Sequence, residues 1–209
     1  MIKNILITGI FISLLAITNK VLAQQDSSFI LKNYRLYQQA IANRNGAEAA
    51  QFIDSSSLAY YGKMLDWVNT ADSLTLSRLS LIDRLTVLNF RHMDTTKKIA
   101  SFNEKKLFQF AIDTEIITST EDSLGHVQVD KEEAVGYLKN NEDQDSVKIT
   151  FRKENGRWKV DLVSQIIQSG EVIKALLSTS ELAENDYLFY LLENMSGRAP
   201  DPAIWHKPL

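Results

Sequence analysis

Cysteine is missing from all 209 residues, and that one absence removes several chemistries. No disulfide can staple the fold, no thiolate can bind zinc, and no cysteine can act as nucleophile or carry a lipid beside a cleavage site. Proline is nearly as scarce. Its three copies, Pro200, Pro202 and Pro208, sit close to the end of the chain, so no proline interrupts regular structure upstream. Glycine occurs eight times without clustering, which leaves no phosphate cradle. There is no Gly-x-Ser-x-Gly elbow, and Ser55-Ser56-Ser57 reads as helix capping. The three histidines, His92, His126 and His206, form no pair at ligand spacing, so no metal and no cofactor are expected. The acidic stretch Asn140 to Asp145 lacks the glycine and terminal glutamate of a calcium loop. With a net charge of −3 and no basic run, nucleic acid and anionic lipid surfaces are unsuitable partners.

What is present begins with a leader. Lys3 gives a positive start, and Ile5 to Ile17 is almost unbroken apolar residue. At roughly 13 residues it is short of the ~20 a membrane span needs but fits the core of a signal peptide. Val21-Leu22-Ala23 offers a cleavage site before Gln24. Residues 1–23 are therefore expected to be a signal peptide that routes the chain to the periplasm or the extracellular space. No stable membrane insertion is expected after cleavage. Residues 24–209 are expected to form a single α+β domain with an irregular tail from about 198.

The apolar rhythm of that domain changes midway. Ile30, Tyr34, Tyr37 and Ile41 form one helical stripe, with Asn45-Gly46 as its expected end. A short helix over Ala47 to Ile53 follows, and Asp54 or Ser55 is placed to cap the next helix, Ser57 to Asn69. Helices are also expected over Leu79 to Met93 and Glu104 to Asp113. Beyond Asp113 the spacing drops to two. Gly125 to Lys139 reads as a hairpin turning at Asp130-Lys131-Glu132, and Val147 to Leu162 as a second, turning at Asn155-Gly156. That turn sets Glu154 against Arg157, Phe151 against Val160 and Ile149 against Leu162. Helical spacing returns over Ile166 to Leu177 and Ser180 to Met195, with either a capping box at Ser178 and Glu181 or Ser180 alone as the cap, and a stop at Gly197. The expected architecture is N-terminal helices packed on a four-stranded antiparallel meander, followed by two C-terminal helices.

Helices followed by a meander that ends in Lys153-Glu154-Asn155-Gly156-Arg157-Trp158-Lys159-Val160 resemble the NTF2-like superfamily. The resemblance covers about half the chain after the leader and implies helices wrapped on the concave face of a bent sheet, with a pocket inside the cone. Ser73 to Asp113 is longer than that plan requires. The superfamily hosts enzymes, transport factors and inert binding domains, so the resemblance carries no activity with it.

Candidate functional residues are few. Arg91-His92 closes a helix whose Leu81, Leu85 and Leu88 stripe His92 continues. One reading makes His92 a base and Arg91 a clamp for an anion; the other makes both favourable partners of a helix C-terminus. Asp113 and Glu115 are the carboxylates that could complete an acid–base pair with His92. Arg91 is expected on the helix surface beside Arg84 and Val87. Tyr61 and Trp67 are candidates for the lining of an apolar pocket, and core packing is their ordinary alternative. Trp205, near the chain end, either docks on its own domain or is captured by another protein. Two functions follow: an exported binding domain for a small apolar or anionic ligand or an envelope protein, or a small pocket enzyme built on His92.

Overall fold

The computed structural model describes residues 24–120, 122–139 and 148–208. The expected leader and the acidic stretch 140–145 lie outside them. Helix α1 runs through residues 24–42, and its stripe of Ile30, Tyr34, Tyr37 and Ile41 is buried throughout. Its end differs from expectation. Arg44 takes the left-handed conformation (φ 52°), and Asn45 N–H returns to the Ala40 carbonyl to close the last turn. Gly46 instead starts α2 (Gly46–Ala49), capped by the Asn45 side chain. Glycine is required there for another reason: a Cβ would fall 2.5 Å from the Gln109 carbonyl oxygen.

Short polar side chains start the next four helices, as backbone donors without intrahelical partners require. Asp54 caps α3 (Ser55–Thr70), Asp72 caps α4 (Ser73–Ser77), Ser80 caps α5 (Leu81–Met93) and Asn103 caps α6 (Glu104–Asp113). The short α4 has no apolar stripe long enough to announce it. A 3-10 turn at Ile99–Ser101 links α5 to α6. Helix α3 contacts both α5 and α6, so its Tyr61, Met64 and Val68 are buried.

Strands β1 (Leu124–Asp130), β2 (Glu133–Leu138), β3 (Lys148–Glu154) and β4 (Arg157–Val160) form an antiparallel sheet in sequential order. Asn155 and Gly156 both take positive φ, and Phe151 faces Val160 as the turn demands. Both side chains are buried, each contributing about 2 kcal/mol of hydrophobic stabilisation. The Ile149–Leu162 pair does not form. Asp161 turns the chain out of the sheet and caps α7 (Leu162–Ser178), of which Leu162 is the first residue. The segment before α3 covers the free side of β4: Val160 N–H donates to the Phe52 carbonyl, and Asp54 N–H donates to that of Val160.

Helix α1 lies on this sheet. Tyr34 meets Phe151 edge to face, Asn33 donates to the Trp158 carbonyl, and the Trp158 indole N–H donates to Asp26 at 2.8 Å. Lys153 pairs with the same carboxylate at 3.0 Å. Burial pushes the Asp26 carboxyl up, but the hydrogen bonds from Trp158 and Lys153 outweigh it and hold the group below the usual carboxylate range. Helix α7 packs on β3 and α5, and Ile167, Val172 and Leu176 remain exposed on its flanks. The Ser178–Glu181 box is not used; α8 (Glu184–Ser196) starts after Ala183 without a side-chain cap, and Gly197 (φ 69°) ends it. A 3-10 turn, Pro202–Trp205, is the regular part of the tail. No described helix is long and apolar enough to cross a membrane.

Candidate functional site

Arg91 and His92 sit in the last turn of α5, where the chain leaves the core. The Arg91 guanidinium reaches the C-terminal end of α3, where carbonyls run out of helical N–H partners and carry the negative end of the helix dipole; that of Trp67 also accepts from Ala71 N–H. Its N–H groups donate to the carbonyls of Val68 (3.0 Å), Trp67 (2.9 Å) and Ala71 (2.6 Å), and also to those of Ile204 (2.9 Å) and His206 (3.1 Å) in the tail. A guanidinium has five N–H donors, and all five are engaged. Burial pushes Arg91 down to about 10, still charged at neutral pH. The expected surface position is corrected: Arg91 is half-buried, and its neighbours Arg84 and Val87 are buried. In this arrangement Arg91 has no N–H left over for the anion expected of it.

His92 is buried, with Nε2 at 2.8 Å from the Ser196 hydroxyl and its backbone carbonyl accepting from Arg198 at 2.6 Å. Burial lowers its affinity for a proton, and the nearby Arg198 charge lowers it further. No hydrogen bond joins His92 to a carboxylate among the described residues. Asp113 accepts from Gly46 N–H at 3.0 Å, and Glu115, in the left-handed conformation, pairs with Arg44 at 2.5 Å. Both acids leave the end of α6 toward α2, since α6 packs on α2. The structure therefore does not assemble the expected histidine–carboxylate pair.

Arg91 and His92 do line a cleft of about 830 Å³ between the ends of α3 and α5 and the tail. Its charged walls are Lys97, Arg198 and Lys207, together with the engaged Arg91, against Asp94 and Asp201. Both acids serve the backbone. Asp94 accepts from the N–H groups of Lys98 and Ile99, and Asp201 from that of Ala203. The ammonium groups of Lys97 and Lys207 have no hydrogen bond or ion pair among the described residues. Val68, Ala203, Ile204 and Pro208 supply apolar wall. Lys97, Arg198 and Lys207 escaped the sequence reading because two lie in the irregular tail and the third follows a helix end. The available signal was the surplus of cations over acids in the tail.

Tyr61 lines a second, smaller cavity of about 300 Å³ among the helices. Trp67 lines neither cavity; its ring lies under the Lys63 ammonium at 4.5 Å, and its carbonyl serves Arg91. Trp205 stacks on Phe189 with ring centroids 6.3 Å apart, and its carbonyl accepts from Ser73. The tail thus docks on its own domain. No group of metal-ligating side chains occurs among the described residues. Compared with protein-family models, with curated proteins and with solved structures, the chain matches none of them.

Proposed function

We propose that this chain is an exported, non-catalytic binding domain on an NTF2-like plan, and that the tail cleft takes a small anionic ligand with an apolar part. The observation that carries this reading is the cleft's charge. Four Lys or Arg side chains line it against two Asp, and Lys97 and Lys207 have no partner among the described residues while both acids cap backbone N–H groups. A concave, partly apolar surface with few polar groups is the usual form of a small-molecule site. Arg91 and His92 serve this reading as supports: one pins the tail, the other ties α5 to the end of α8. Export is supported by the apolar leader from Ile5 to Ile17.

The test is calorimetric titration with phenyl phosphate and, in parallel, with phenol. Phenyl phosphate should bind measurably more tightly than phenol. The double variant Lys97→Gln, Lys207→Gln should weaken phenyl phosphate about tenfold, and added salt should do the same, because exposed charges contribute about 1 kcal/mol or less each and are screened. Equal affinity for the two probes would remove the reading.

A further inference from the structure

The smaller cavity has a different chemistry from the tail cleft. It lies between α3, α5, α7, α8 and the segment after α6, and no strand residue contributes to it. Its walls include Leu85, Phe90, Ile116, Ile166, Ile173 and Leu191, and no charged side chain is among them. About 300 Å³ is at the small end of ligand sites, and Met195, more than half exposed, stands at its rim.

Two polar groups interrupt this apolar surface. Asn89 on α5 is 5% exposed, and its carboxamide makes no hydrogen bond with any described residue. Tyr61 on α3 is 4% exposed, and its hydroxyl makes none either. Carboxamides and phenols held this far inside native proteins nearly always have partners, so two without a protein partner in the walls of one cavity leave a hydrogen-bonding position there for its contents to fill. Of the other polar side chains in the lining, Tyr60 donates to Asp83, Thr86 donates to the Ile82 carbonyl, and Ser169 is exposed to solvent.

We infer that this helical cavity is a binding site for a neutral, largely apolar molecule bearing one hydrogen-bonding group, which Asn89 and Tyr61 receive. The carboxamide offers both donor and acceptor, so a hydroxyl or carbonyl on the guest satisfies it. A carboxylate is disfavoured, because no cation lines the cavity to offset its loss of water. The site is independent of the tail cleft, and its occupancy does not require the anionic ligand proposed there.

Three probes of one shape separate these demands: 4-propylphenol, propylbenzene and 4-propylbenzoate. Binding is followed by NMR at the Asn89 side-chain amide and the Met195 methyl. The phenol should produce saturable shifts at both. It should bind about fivefold more tightly than propylbenzene and at least about tenfold more tightly than the benzoate, in line with one hydrogen bond gained and one buried charge avoided. In Asn89→Leu, propylbenzene should still bind and the preference for the phenol should shrink toward unity. The inference is overturned if the phenol gives no saturable shift, as a cavity holding only water would. Equal binding of the benzoate, or an unchanged preference in Asn89→Leu, would overturn it too. Should that variant not fold, the ranking of the three probes on the unaltered protein decides alone.

Discussion

Replacing Arg91 with Met keeps much of the side chain's bulk and deletes every donor, which makes it the sharpest perturbation of the fold. Five carbonyls lose a partner at once: three at the end of α3 and two in the tail. A hydrogen bond to a charged group contributes about 1.5–3 kcal/mol net, so simple addition would exceed the whole stability of many domains. Addition is wrong here for two reasons. Bonds to one guanidinium are strongly coupled, and the cleft lets water reach some of the abandoned carbonyls. A loss of about 3–4 kcal/mol remains, the range seen when one partner of a buried charged contact is removed. Arg91→Lys restores a cation with three donors and should lose about half as much. Urea unfolding followed by circular dichroism measures the ranking. Amide hydrogen exchange at residues 203–207 supplies the second readout, and both variants should accelerate it. The reasoning is refuted if Arg91→Met unfolds within about 1 kcal/mol of the parent and its tail exchanges no faster.

Three further outcomes are expected. Gly46→Ala drives a Cβ into the Gln109 backbone and should cost about 2 kcal/mol or more by thermal or urea unfolding. Trp158→Phe removes the indole donor to Asp26 and should cost about 1–2 kcal/mol at neutral pH. Asp26 is held below its unfolded value of 3.8, so its contribution is present above that pH and disappears as pH falls through the folded value; acid titration of stability should show a smaller loss in Trp158→Phe than in the parent. His92 is also shifted down, and there the unfolded chain binds the proton more readily. Stability should therefore fall as pH drops below 6.5 toward the folded value, with a slope of at most about 1.4 kcal/mol per pH unit, and His92→Gln should flatten that slope in urea titrations at pH 7 and pH 5.

Local chemistry made much of the fold readable. The Asn155-Gly156 turn admits one register, and the spacing of Ile30, Tyr34, Tyr37 and Ile41 admits one buried face; both are present. The Ile149–Leu162 pairing failed because Asp161 had a stronger option, capping a helix, than continuing a strand. Carrying the turn's register on past Val160 hid that option. Arg91 was legible as a residue favoured at a helix end, but its task was not. Its five acceptors come from two segments remote in sequence, and carbonyls carry no side-chain signature. Asn89 left one readable trace, an amide between Leu88 and Phe90 on a helix otherwise turned toward the core. Lys207 left only the small surplus of cations in the tail, and Lys97 left none, since a solvated lysine and a lysine facing a cleft look alike in a chain.

The bridge from Ile53 to Val160 has a consequence for self-association. Open borders of sheets are where strands of neighbouring molecules add on and propagate into fibrils. At Val160, the last residue of β4, that border is already occupied by the molecule's own backbone. At the opposite border, β1, the register shift between Leu124 and His126 and the exposed His126, Gln128 and Asp130 present an irregular, polar template. In a chain with no disulfides, both borders of the described sheet are thereby poorly shaped for polymerisation.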